Sequence, residues 1–586
     1  MDKISCVAGK ERIPAEASHI QINFCKNPAC GNYGVLPRVA VTRGPGLLQD
    51  SYVITSGHAQ GVPLLHCRLC GEYPPIKSNI AIAEERDRML ADLQQAPEPI
   101  CPDTSCAHHA VPVSQGTAFY QLFGITRSGS RRYRCKACQK TFSVRRSTTG
   151  QKQPHKNRTV FTLLMNKSPF RRILEVADIS ASSFYGKIDF LFGQCLAFAA
   201  ERERRLLAGM PIRRLYLGTD RQDYVVNWTS EHDRRNVVLH AVGTADNTTG
   251  YVFGMHLNYD PSLDGEDVEV DAEALGDAEK KPPFRRYARV WLEADYRAAA
   301  RRQMGRRVLK ADGLKGEIAA TYDEVVLRED VEVADTPNAA TRLPARGMQV
   351  HAEYSLYGHC FFLKGLFAGV EKLRFFLDQD SGMRAAFLSA FQPEIAARRA
   401  DAFYVRIQRE LTINQKRAAV AASHSAFEAA RRECPDLDDS ALELLLAKAQ
   451  LARMTSYGQW QDKWLIHPFP NMSEPEKAIC YLTDYNDYEE DHLARLYLKA
   501  SLHAIDRFFM QVRRRLSILE RPIATASSAR RTWHGYSAYN PEVIVKLLGI
   551  FRVFYNYCLA GKDRTTPAMR LGLAQGKVTL KDIIYY

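Results

Sequence analysis

Eight of the fourteen cysteines form two sets with the spacing of metal ligands. In each set a Cys-x4-Cys pair precedes a Cys-x2-Cys pair, and the flanks repeat as CKNPACGNYGVLP and CPDTSCAHHAVPV. Four thiolates at this spacing can surround one tetrahedral Zn²⁺ and leave no open position, which predicts two closed structural zinc sites. The expected ligands are Cys25, Cys30, Cys67 and Cys70 in the first set and Cys101, Cys106, Cys135 and Cys138 in the second. His108 and His109 are alternative ligands for the second ion.

Three aspartates stand where carboxylates could share hard metal ions. Asp220 follows the apolar run RLYLGT, and Asp378 closes KLRFFLD. An acid at the end of a buried strand is well placed for a site, although aspartate is also common in turns. Asp506 falls on the apolar stripe of a predicted helix, where a carboxylate needs a metal ion or an arginine as its partner. Two-metal phosphoryl transfer requires carboxylates that converge in this way.

The positive charge of the chain is concentrated in one window. The formal net charge is +14, and residues 127–172 contain fourteen Lys or Arg and no Asp or Glu. The rest of the chain therefore balances to zero, which indicates a local surface for a polyanion. The residues of this window expected to contact the polyanion are Arg131, Arg132, Arg134, Lys136, Lys140, Arg145, Arg146, Lys152, Lys156 and Arg158.

A helix-turn-helix layout follows the second cysteine set. Two short helices are predicted at Val160–Met165 and Arg171–Val176, ADIS forms the turn, and Ala181–Phe192 is the expected recognition helix. A serine near its start, Ser180 or Ser182, is suited to cap it. The residues expected to meet a DNA groove or its phosphates are Ser182, Ser183, Tyr185 and Lys187, and those expected to pack inward are Phe184, Ile188 and Leu191. The alternative is an ordinary three-helix connector.

From residue 212 the sequence changes to strands separated by turns. RRLYLGTDRQDYVVNW, NVVLHAVGTAD and TGYVFGMHLNY predict three antiparallel strands. The acidic stretch Asp260–Glu279, with nine Asp or Glu and no Lys or Arg, is expected to be a solvated insertion loop. KLRFFLDQDSG predicts a buried strand followed by a helix, and DAFYVRIQREL a further strand. Long helices are predicted at Gln415–Cys434, Ser440–Met454 and Tyr488–Leu519, so the order of elements is that of an α/β layer architecture.

Length and composition exclude several classes of protein. A chain of 586 residues is expected to form about three to five domains. With 46% hydrophobic residues, wholesale disorder is not expected. No uninterrupted apolar run reaches the roughly 18 residues of a membrane span, and MDKISCVAGKERIPAE lacks the apolar core of a signal peptide. The expected location is a reducing cytoplasm, where such cysteines bind zinc rather than form disulfides.

Four phrases of the sequence resemble bacterial insertion-sequence transposases. The phrase from Gly129 to Ser143, which includes RYRCKACQKTFS, is similar to their N-terminal zinc ribbon. LDQDSGMRAAF resembles the second-aspartate segment of the RNase H-like DDE transposase and integrase superfamily, and HAIDRFFMQVRRRLSILERP resembles its third-acid helix. FRVFYNYCLAGKDRTTPAMRLGLA resembles the tail that follows this helix. Together these phrases extend from about residue 100 to residue 586.

The resemblance implies a multidomain protein with tandem zinc ribbons, a helix-turn-helix and an α/β RNase H-like catalytic domain with insertions. It implies that Asp220, Asp378 and Asp506 bind two Mg²⁺ or Mn²⁺ ions. The protein would then cleave and join double-stranded DNA, at transposon ends and target, as a homo-oligomer associated with the bacterial nucleoid. The sequence departs from the family because its third acid is Asp where Glu is usual. Rival acids for these positions are Asp223, Asp380, Glu489, Glu490 and Glu520.

Further DNA contacts and the domain limits complete the prediction. The run Arg513, Arg514 and Arg515 is expected to follow the DNA backbone, or else to form a solvated helix face. Trp228, Trp533 and Tyr536 either stack on unpaired bases or lie in a core. The predicted limits are ribbon 1 at 1–75, a linker at 76–100, ribbon 2 at 101–148, the helix-turn-helix at 155–200, the catalytic domain at 212–520 with its acidic insertion at 260–283, and a helical tail at 521–586.

Two other functions stay open at the level of sequence. One is a DNA-binding regulator whose RNase H-like domain has lost catalysis, which the Asp in place of Glu favours. The other is a nuclease of the same fold that cleaves DNA without joining strands.

Overall fold

The computed structural model describes residues 12–38, 50–56, 61–94, 98–127, 130–144, 147–226, 237–296, 313–316, 318–319, 322, 346–408, 411–458, 460–520, 523–524, 532–533, 538 and 540–586. This part of the chain forms two compact units. The sheet unit comprises the described residues of Met1–Met89, Gly209–Phe509 and Ala538–Glu542. The helical unit comprises those of Leu90–Ala208, Met510–Ser537 and Val543–Tyr586. The first cysteine set lies in the sheet unit and the second in the helical unit.

The strands and helices are as follows. The strands are β1 (Tyr52–Ser56), β2 (Pro63–Cys67), β3 (Tyr120–Ile125), β4 (Arg131–Cys135), β5 (Thr141–Val144), β6 (Ile212–Val226), β7 (Val237–Asp246), β8 (Val252–Leu257), β9 (Tyr259–Asp260), β10 (Met348–Gln349), β11 (Val370–Asp378), β12 (Ala400–Ile407), β13 (Thr455–Tyr457), β14 (Asp462–Ile466), β15 (Lys477–Tyr481), β16 (Ile523–Ala524) and β17 (Thr532–Trp533). The helices are α1 (Asn79–Ala91), α2 (Asn157–Leu164), α3 (Phe170–Ala177), α4 (Ala181–Leu207), α5 (Gly265–Ala274), α6 (Ala352–Leu366), α7 (Ser381–Ala390), α8 (Gln392–Ala396), α9 (Ile413–Glu433), α10 (Asp439–Leu451), α11 (Glu490–Lys499), α12 (His503–Arg515), α13 (Pro541–Val553), α14 (Pro567–Leu571) and α15 (Leu580–Ile584), with a π-helical segment at Phe554–Cys558. None of these described helices combines the length and apolarity needed to span a bilayer.

The sheet unit is built on a mixed eight-stranded sheet with the order β13-β14-β15-β12-β11-β6-β7-β8. β11 lies between β6 and β12 and runs parallel to both, whereas the other neighbouring strands are antiparallel. The three antiparallel strands predicted from residue 212 are confirmed as β6, β7 and β8, and the next two predicted strands as β11 and β12. Residues 373–377 of β11 are all buried, as expected for a central strand that is covered on both faces.

Helices cover both faces of this sheet. On one face, the ring centroid of Phe387 in α7 lies 4.6 Å from that of Phe375 in β11. On the other, the ring of Tyr497 in α11 lies 5.6 Å from that of Phe403 in β12. Side chains alternate between the faces along each strand. We call the first the α6 face and the second the α12 face, after the helix that lies on each beside β7.

The predicted long helix Tyr488–Leu519 is wrong in its continuity. It is two helices, α11 and α12, because Ala500 takes an extended backbone with φ −69° and ψ 117°. The break places Asp506 in the first turn of α12 rather than in mid-helix. The positive end of the helix dipole favours an ionised carboxylate there.

Two side chains outside the helices hold this break. The Asn247 amide donates to the Ser501 carbonyl at 2.7 Å and accepts from the Ala504 N–H at 3.4 Å. Glu474 accepts from the Leu502 N–H at 3.1 Å. These partners satisfy backbone groups that a continuous helix pairs internally. The apolar periodicity of residues 488–519 could not predict these contacts, because Asn247 and Glu474 lie outside that segment.

The acidic stretch Asp260–Glu279 is not the solvated loop that its charge predicts. It contains the last residue of β9 and the whole of α5, and Asp264 caps this helix by accepting two backbone N–H groups. Asp260 is buried 2.7 Å from Arg289, and Asp277 is buried 2.9 Å from Lys280. The buried acids of the stretch are therefore compensated by basic residues that follow it. A count of charges within the stretch alone does not include these basic residues.

Helix α1, expected as a connector between the ribbons, is a core element of the sheet unit. Its Glu85 is fully buried and lies 2.6 Å from Arg88 and 2.9 Å from Arg289. Ile82 of the same helix is also fully buried. A buried carboxylate with two guanidinium partners ties α1 to the segment that follows the acidic stretch.

The helical unit contains the antiparallel sheet β3-β4-β5 and the helices α2, α3 and α4, which occur where the sequence predicts them. Ser180 caps α4 by accepting the Ser183 N–H at 3.3 Å. Phe184, Ile188 and Leu191 are buried, which confirms their predicted inward direction.

Helix α4 continues to Leu207, beyond the predicted end at Phe192. Its second half packs on the chain tail, where the ring of Phe198 lies 5.2 Å from that of Tyr557. Glu203 pairs with Arg552 at 2.6 Å, and both are buried. Tyr557 and Arg552 are more than 300 positions away from α4 in the sequence. The local sequence pattern therefore did not predict that α4 extends beyond Phe192.

Candidate functional site

The first cysteine set forms a tetrad beside the β1–β2 hairpin. The Sγ atom of Cys25 lies 3.4 Å from that of Cys70, and Cys30 lies 3.7 Å from Cys67. A Zn²⁺ bound tetrahedrally at ~2.3 Å by four sulfurs separates them by ~3.8 Å. The four thiols therefore match a structural zinc site in donor type and in spacing.

The second set repeats this geometry at the end of β4. Cys101 Sγ lies 3.5 Å from Cys138, and Cys106 Sγ lies 3.7 Å from Cys135. Within the described part of the chain, the groups of three or more His, Cys, Asp or Glu whose ligand atoms lie within 4.8 Å of one another are these two tetrads. The predicted ligand sets are confirmed, and they are compatible with two structural zinc ions.

A tyrosine supports each tetrad, which the sequence reasoning missed. The Tyr52 hydroxyl accepts from the Cys25 N–H at 3.0 Å and donates to the Asn32 and Val35 carbonyls. The Tyr120 hydroxyl accepts from the Cys101 N–H at 3.2 Å and donates to the carbonyls of residues 108 and 111. Each tyrosine lies fifteen positions before the third cysteine of its set and pairs with it across the hairpin. That equal spacing was a signal available in the sequence.

The residue two positions after the second cysteine also has the same role in both ribbons. The Asn32 N–H donates to Cys30 Sγ at 3.4 Å, and its amide donates to Cys67 Sγ at 3.2 Å. The His108 N–H donates to Cys106 Sγ at 3.3 Å, and its Nδ1 lies 3.6 Å from Cys135 Sγ. His108 therefore contacts two sulfurs of its tetrad, as Asn32 does in the first tetrad. His109 Nδ1 instead contacts the Cys101 carbonyl at 2.7 Å, and neither histidine belongs to the tetrad.

Backbone N–H groups in the Cys-x2-Cys turns favour thiolates. Burial alone raises the pKa of Cys67, but the N–H groups of Cys70 and Leu69 and the Asn32 amide lower it to about 7. Burial likewise opposes ionisation of Cys135, whose pKa the N–H groups of the following turn lower to about 6. Since the thiolate is the form that binds zinc, each tetrad has one cysteine prepared for metal near neutral pH.

Glu72 connects the first tetrad to helix α7 within the sheet unit. It is buried, its Oε2 accepts from the Cys25 thiol at 3.3 Å, and its Oε1 lies 3.2 Å from Arg384 of α7. Burial and then the Glu72 charge raise the pKa of Cys25. The N-cap of the same helix is Asp380, which accepts two backbone N–H groups. A series of contacts therefore extends from the tetrad to the residues that follow β11.

Asp220 and Asp378 occupy equivalent positions on adjacent parallel strands. The ladder pairs Phe376 with Gly218 and Leu377 with Thr219, and the two aspartates come next on each strand. Asp378 ends β11 as predicted, but the prediction of a strand end at Asp220 is wrong, because β6 continues to Val226 in its pairing with β7. Neighbouring strands lie ~4.8 Å apart, and residues at matching positions point to the same face. The long sequence gap between the two acids is closed by this pairing.

Helix α12 covers the face to which these aspartates point. A Cβ on Gly218 would lie 3.5 Å from Leu502 Cα. A Cβ on Gly243, which pairs with Asp220, would lie 2.8 Å from Ile505 Cδ1. Asp506 follows Ile505 and is half-buried, whereas Asp220 is only 3% exposed. The three predicted acids thus belong to three neighbouring elements on the α12 face.

The three carboxylates do not gather around a single point in this structure. Among the described residues they are not a group whose oxygen atoms all lie within 4.8 Å of one another. The sheet register and the packing of α12 place them on neighbouring elements. In the part of the chain that the structure describes, no other cluster of carboxylates meets the same distance criterion.

The rival acids make other contacts. Asp380 caps α7 and lies 2.8 Å from Arg221, whose position in β6 directs it to the α6 face. Asp223 is exposed and lies 2.7 Å from His240. Glu489 is exposed and precedes α11. Glu490 and Glu520 each form an ion pair with a lysine.

The residues expected to contact DNA differ in exposure. The exposed ones are Arg131, Arg132, Lys136, Lys140, Lys152, Arg158, Ser182, Tyr185 and Arg514. The half-buried ones are Arg134, Lys156, Ser183, Arg513 and Arg515. Arg145, Arg146, Trp228 and Tyr536 lie outside the described residues, and of Trp533 only the backbone, in β17, is described.

Lys187 is a correction to the predicted DNA-contacting set. Its side chain is 1% exposed, and its ammonium donates to the Lys152 and Gln153 carbonyls at 2.8 and 3.1 Å. It also donates to Asn157 Oδ1 at 2.6 Å. Burial, and then the nearby Lys156, lower the pKa of Lys187. This lysine binds the basic linker to α4 instead of facing a groove.

Comparison of the chain with protein-family models, with curated proteins and with solved structures gave no match. The class of protein that the fold and site define at this stage is a multidomain α/β protein with two cysteine tetrads that fit zinc ribbons.

Proposed function

We propose that this protein is a DNA transposase of the DDE type, with Asp220, Asp378 and Asp506 as its acidic site. The observation that carries the proposal is the shared position of these residues on the α12 face. The first two are matched across the β6–β11 ladder, and the third lies on the helix packed beside them. The resemblance of the sequence to transposase segments selected the same three residues without reference to this geometry.

The strand arrangement supports an RNase H-like reading of the sheet. Three antiparallel strands, β6 to β8, are followed by two strands, β11 and β12, that are parallel to the first. α6 and α7 join these strands on one face, and the acid-bearing helix lies on the other. Strands β13 to β15 extend the edge beyond β12 as an addition to this arrangement.

The carboxylates suit hard divalent cations. Mg²⁺ prefers carboxylate oxygen, and residues on three elements can divide two ions between them. When bound, the ions would lower the barrier to in-line attack on a phosphodiester by water or a DNA 3′-hydroxyl. Asp220 and Asp378 are held by the sheet ladder, and Asp506 by the first turn of α12, so the chain fixes the relative positions of its ligands before DNA arrives.

DNA binding is assigned to the helical unit. Its second ribbon, linker and α2–α4 contain the whole acid-free window of residues 127–172. Exposed Arg and Lys in this window supply phosphate contacts, which position a duplex without reading its sequence. The start of α4 offers Ser182 and Tyr185 to the bases. An open groove of about 780 Å³ lies beside it, and its lining includes Lys152 and Ser183 as well as the acids Glu175 and Asp178. We expect the protein to act as an oligomer on double-stranded DNA.

A second candidate function is a DNA-binding regulator that no longer cleaves. Two observations favour this regulator. The third acid is Asp, which reaches less far than Glu, and the three carboxylates do not converge within 4.8 Å in this structure. The DNA-binding surface is common to both functions, so binding alone does not separate them.

Strand cleavage separates the candidates. The purified protein is incubated with a labelled duplex of the element's terminal sequence and Mg²⁺ or Mn²⁺, and cleaved and joined products are resolved on a gel. We expect Asp378→Asn to reduce both products about 1,000-fold or more, since loss of a metal-binding carboxylate removes several kcal/mol of stabilisation. Asp223→Asn is the matched control, because Asp223 lies on the strand of Asp220 but is exposed and points to the other face.

The outcomes are distinct. Equal cleavage by Asp378→Asn and the parent protein contradicts the acidic site. Tight end binding with no cleavage in either metal supports the regulator, and cleavage without joined products supports a nuclease.

A further inference from the structure

The sheet of the second ribbon exposes an aromatic side chain between two arginines. Phe123 of β3 is 49% exposed, although it belongs to a strand. The guanidinium carbons of Arg132 and Arg134 each lie 5.6 Å from its ring centroid. Such contacts fix the direction of an exposed ring and leave both cations charged. We call these three residues the Phe123 patch.

Phe123 lies at a β-bulge on the arginine face. The β3–β4 ladder pairs Leu122 with Tyr133 and Gly124 with Arg132, so Phe123 is the extra residue between the pairs. Gly124 has φ +119°, a backbone that side chains rarely permit. Bulges are frequent beside functional sites.

The arginine face is cationic and contains no acid. The strands of this sheet read YQLFGI, RRYRC and TFSV and include no Asp or Glu. Opposite Arg134 and Arg132 on this face are Gln121, Thr141 and Ser143, and Arg132 donates to Thr141 at 3.1 Å. Charge complementarity therefore points to a polyanion as the occupant.

We infer that the Phe123 patch holds DNA at a distorted step, with the ring inserted between two bases and the arginines on the flanking phosphates. This inference rests on the proposed DNA-binding function. Apolar side chains that enter a base stack open one step and bend the duplex. The guanidinium carbons of Arg132 and Arg134 are equidistant from the Phe123 ring, so each can meet a backbone phosphate when the ring stacks on a base.

Binding to two DNA probes tests the inference. A fluorescein-labelled 24-base-pair duplex and the same duplex with a central one-nucleotide bulge are titrated with the full-length protein. We expect tighter binding to the bulged probe, by about 5- to 50-fold, because base–aromatic stacking contributes on this scale. Phe123→Ala should abolish the preference and bind the two probes equally.

Leu122→Ala is the matched control, since Leu122 is 57% exposed on the same strand but shares the opposite face with Tyr133. It should keep the preference for the bulged probe. Arg132→Ala should weaken binding to both probes and reduce the salt dependence of each by about one phosphate contact. The zinc content of every variant is measured to confirm that the ribbon is folded.

The inference is overturned if Phe123→Ala prefers the bulged probe as strongly as the parent protein, or if Leu122→Ala loses the preference equally. Absence of any preference in the parent overturns it too. The proposed function fails by a different result, the loss of strand cleavage or of all DNA binding, so the two failures are distinguishable.

Discussion

At the scale of the residue, each cysteine tetrad depends on a hydroxyl that sequence motifs do not include. Tyr52 and Tyr120 connect the N–H of the first cysteine to carbonyls of the loop that holds the second. One side chain thereby fixes the relative positions of two ligands that are close in sequence but not in a regular element. Groups that orient ligands commonly affect metal affinity almost as strongly as the ligands themselves.

Replacing Tyr120 by phenylalanine tests this role. We expect Tyr120→Phe to lower the zinc affinity of the second ribbon by about 10- to 100-fold, because the Cys101 N–H loses its acceptor and two carbonyls lose their donor. Competition with a chromophoric chelator measures the affinity. Tyr133→Phe, in the adjacent strand, should leave it unchanged, and an equal loss in both variants would refute the assignment.

Lys187 carries a second prediction at this scale. Lys187→Met keeps the apolar stem but removes three hydrogen bonds, so we expect unfolding to cost about 1–3 kcal/mol less. The salt dependence of DNA binding should not change, because the buried ammonium contacts no phosphate. Exposed Lys136→Met should do the reverse, with unchanged stability and a salt slope smaller by about one contact. Thermal melts and DNA titrations at several salt concentrations measure both effects.

At the scale of the element, the packing of α12 on the sheet determines the position of Asp506. Asn247 and Glu474 hydrogen-bond the backbone just before α12. Ile505 and Phe509 of this helix pack against Gly243 of β7. The absence of a side chain at Gly243 lets the helix approach the strand that carries Asp220. The position of Asp506 is therefore a product of packing by residues that carry no chemistry themselves.

A pair of glycines tests this packing. In Gly243→Ala the new Cβ would lie 2.8 Å from Ile505 Cδ1 and 3.2 Å from Phe509 Cε1, so these α12 side chains, or the helix with them, must move. We expect a loss of about 1–3 kcal/mol of stability and a fall in strand cleavage without a fall in DNA binding. In Gly186→Ala the Cβ meets nothing within 4 Å on helix α4, and a gain of about 0.5–1 kcal/mol is expected. A Gly243→Ala protein as stable and active as the parent would contradict the seating of α12.

Local signals in the sequence predicted most elements and both tetrads, because cysteine spacing and strand alternation act over a few residues. The position of Asp378 at a strand end was also accessible, since it follows an apolar run, whereas Asp220 lies inside β6, which continues to Val226. The helix break at Ala500, the burial of Lys187 and the extension of α4 to Leu207 were not accessible. Each depends on a partner far along the chain, such as Asn247 for the break and Arg552 for α4.

At the scale of the whole molecule, charge is divided between the units. The acid-free window lies entirely in the helical unit, and its fourteen basic residues equal the net charge of the chain. The sheet unit holds the acidic stretch, whose innermost acids are paired with Arg289 and Lys280. If the protein binds a polyanion, we expect the unit with the second ribbon and helices to attract it, whereas the three aspartates lie in the sheet unit.

This division predicts the salt dependence of binding. Six or more phosphate contacts from the window should make DNA affinity fall about 1,000-fold between 50 and 200 mM salt. Asp378→Asn should follow the same line as the parent protein, because the acidic site contributes no cation. Fluorescence anisotropy at four salt concentrations gives the slope. A fall of less than tenfold would be inconsistent with the window as the main contact surface.

The buried Glu72–Arg384 pair limits how this protein can be taken apart. A fragment that begins at Gly209 retains every strand of the large sheet and all three aspartates. It would nevertheless leave Arg384 in the interior without the Glu72 carboxylate, and Arg289 with Asp260 but without Glu85. Removing one partner of a buried ion pair opposes folding. The smallest soluble fragment that contains the three aspartates is therefore expected to include the first ribbon and α1, so the amino-terminal segment belongs to the sheet unit as much as the strands do.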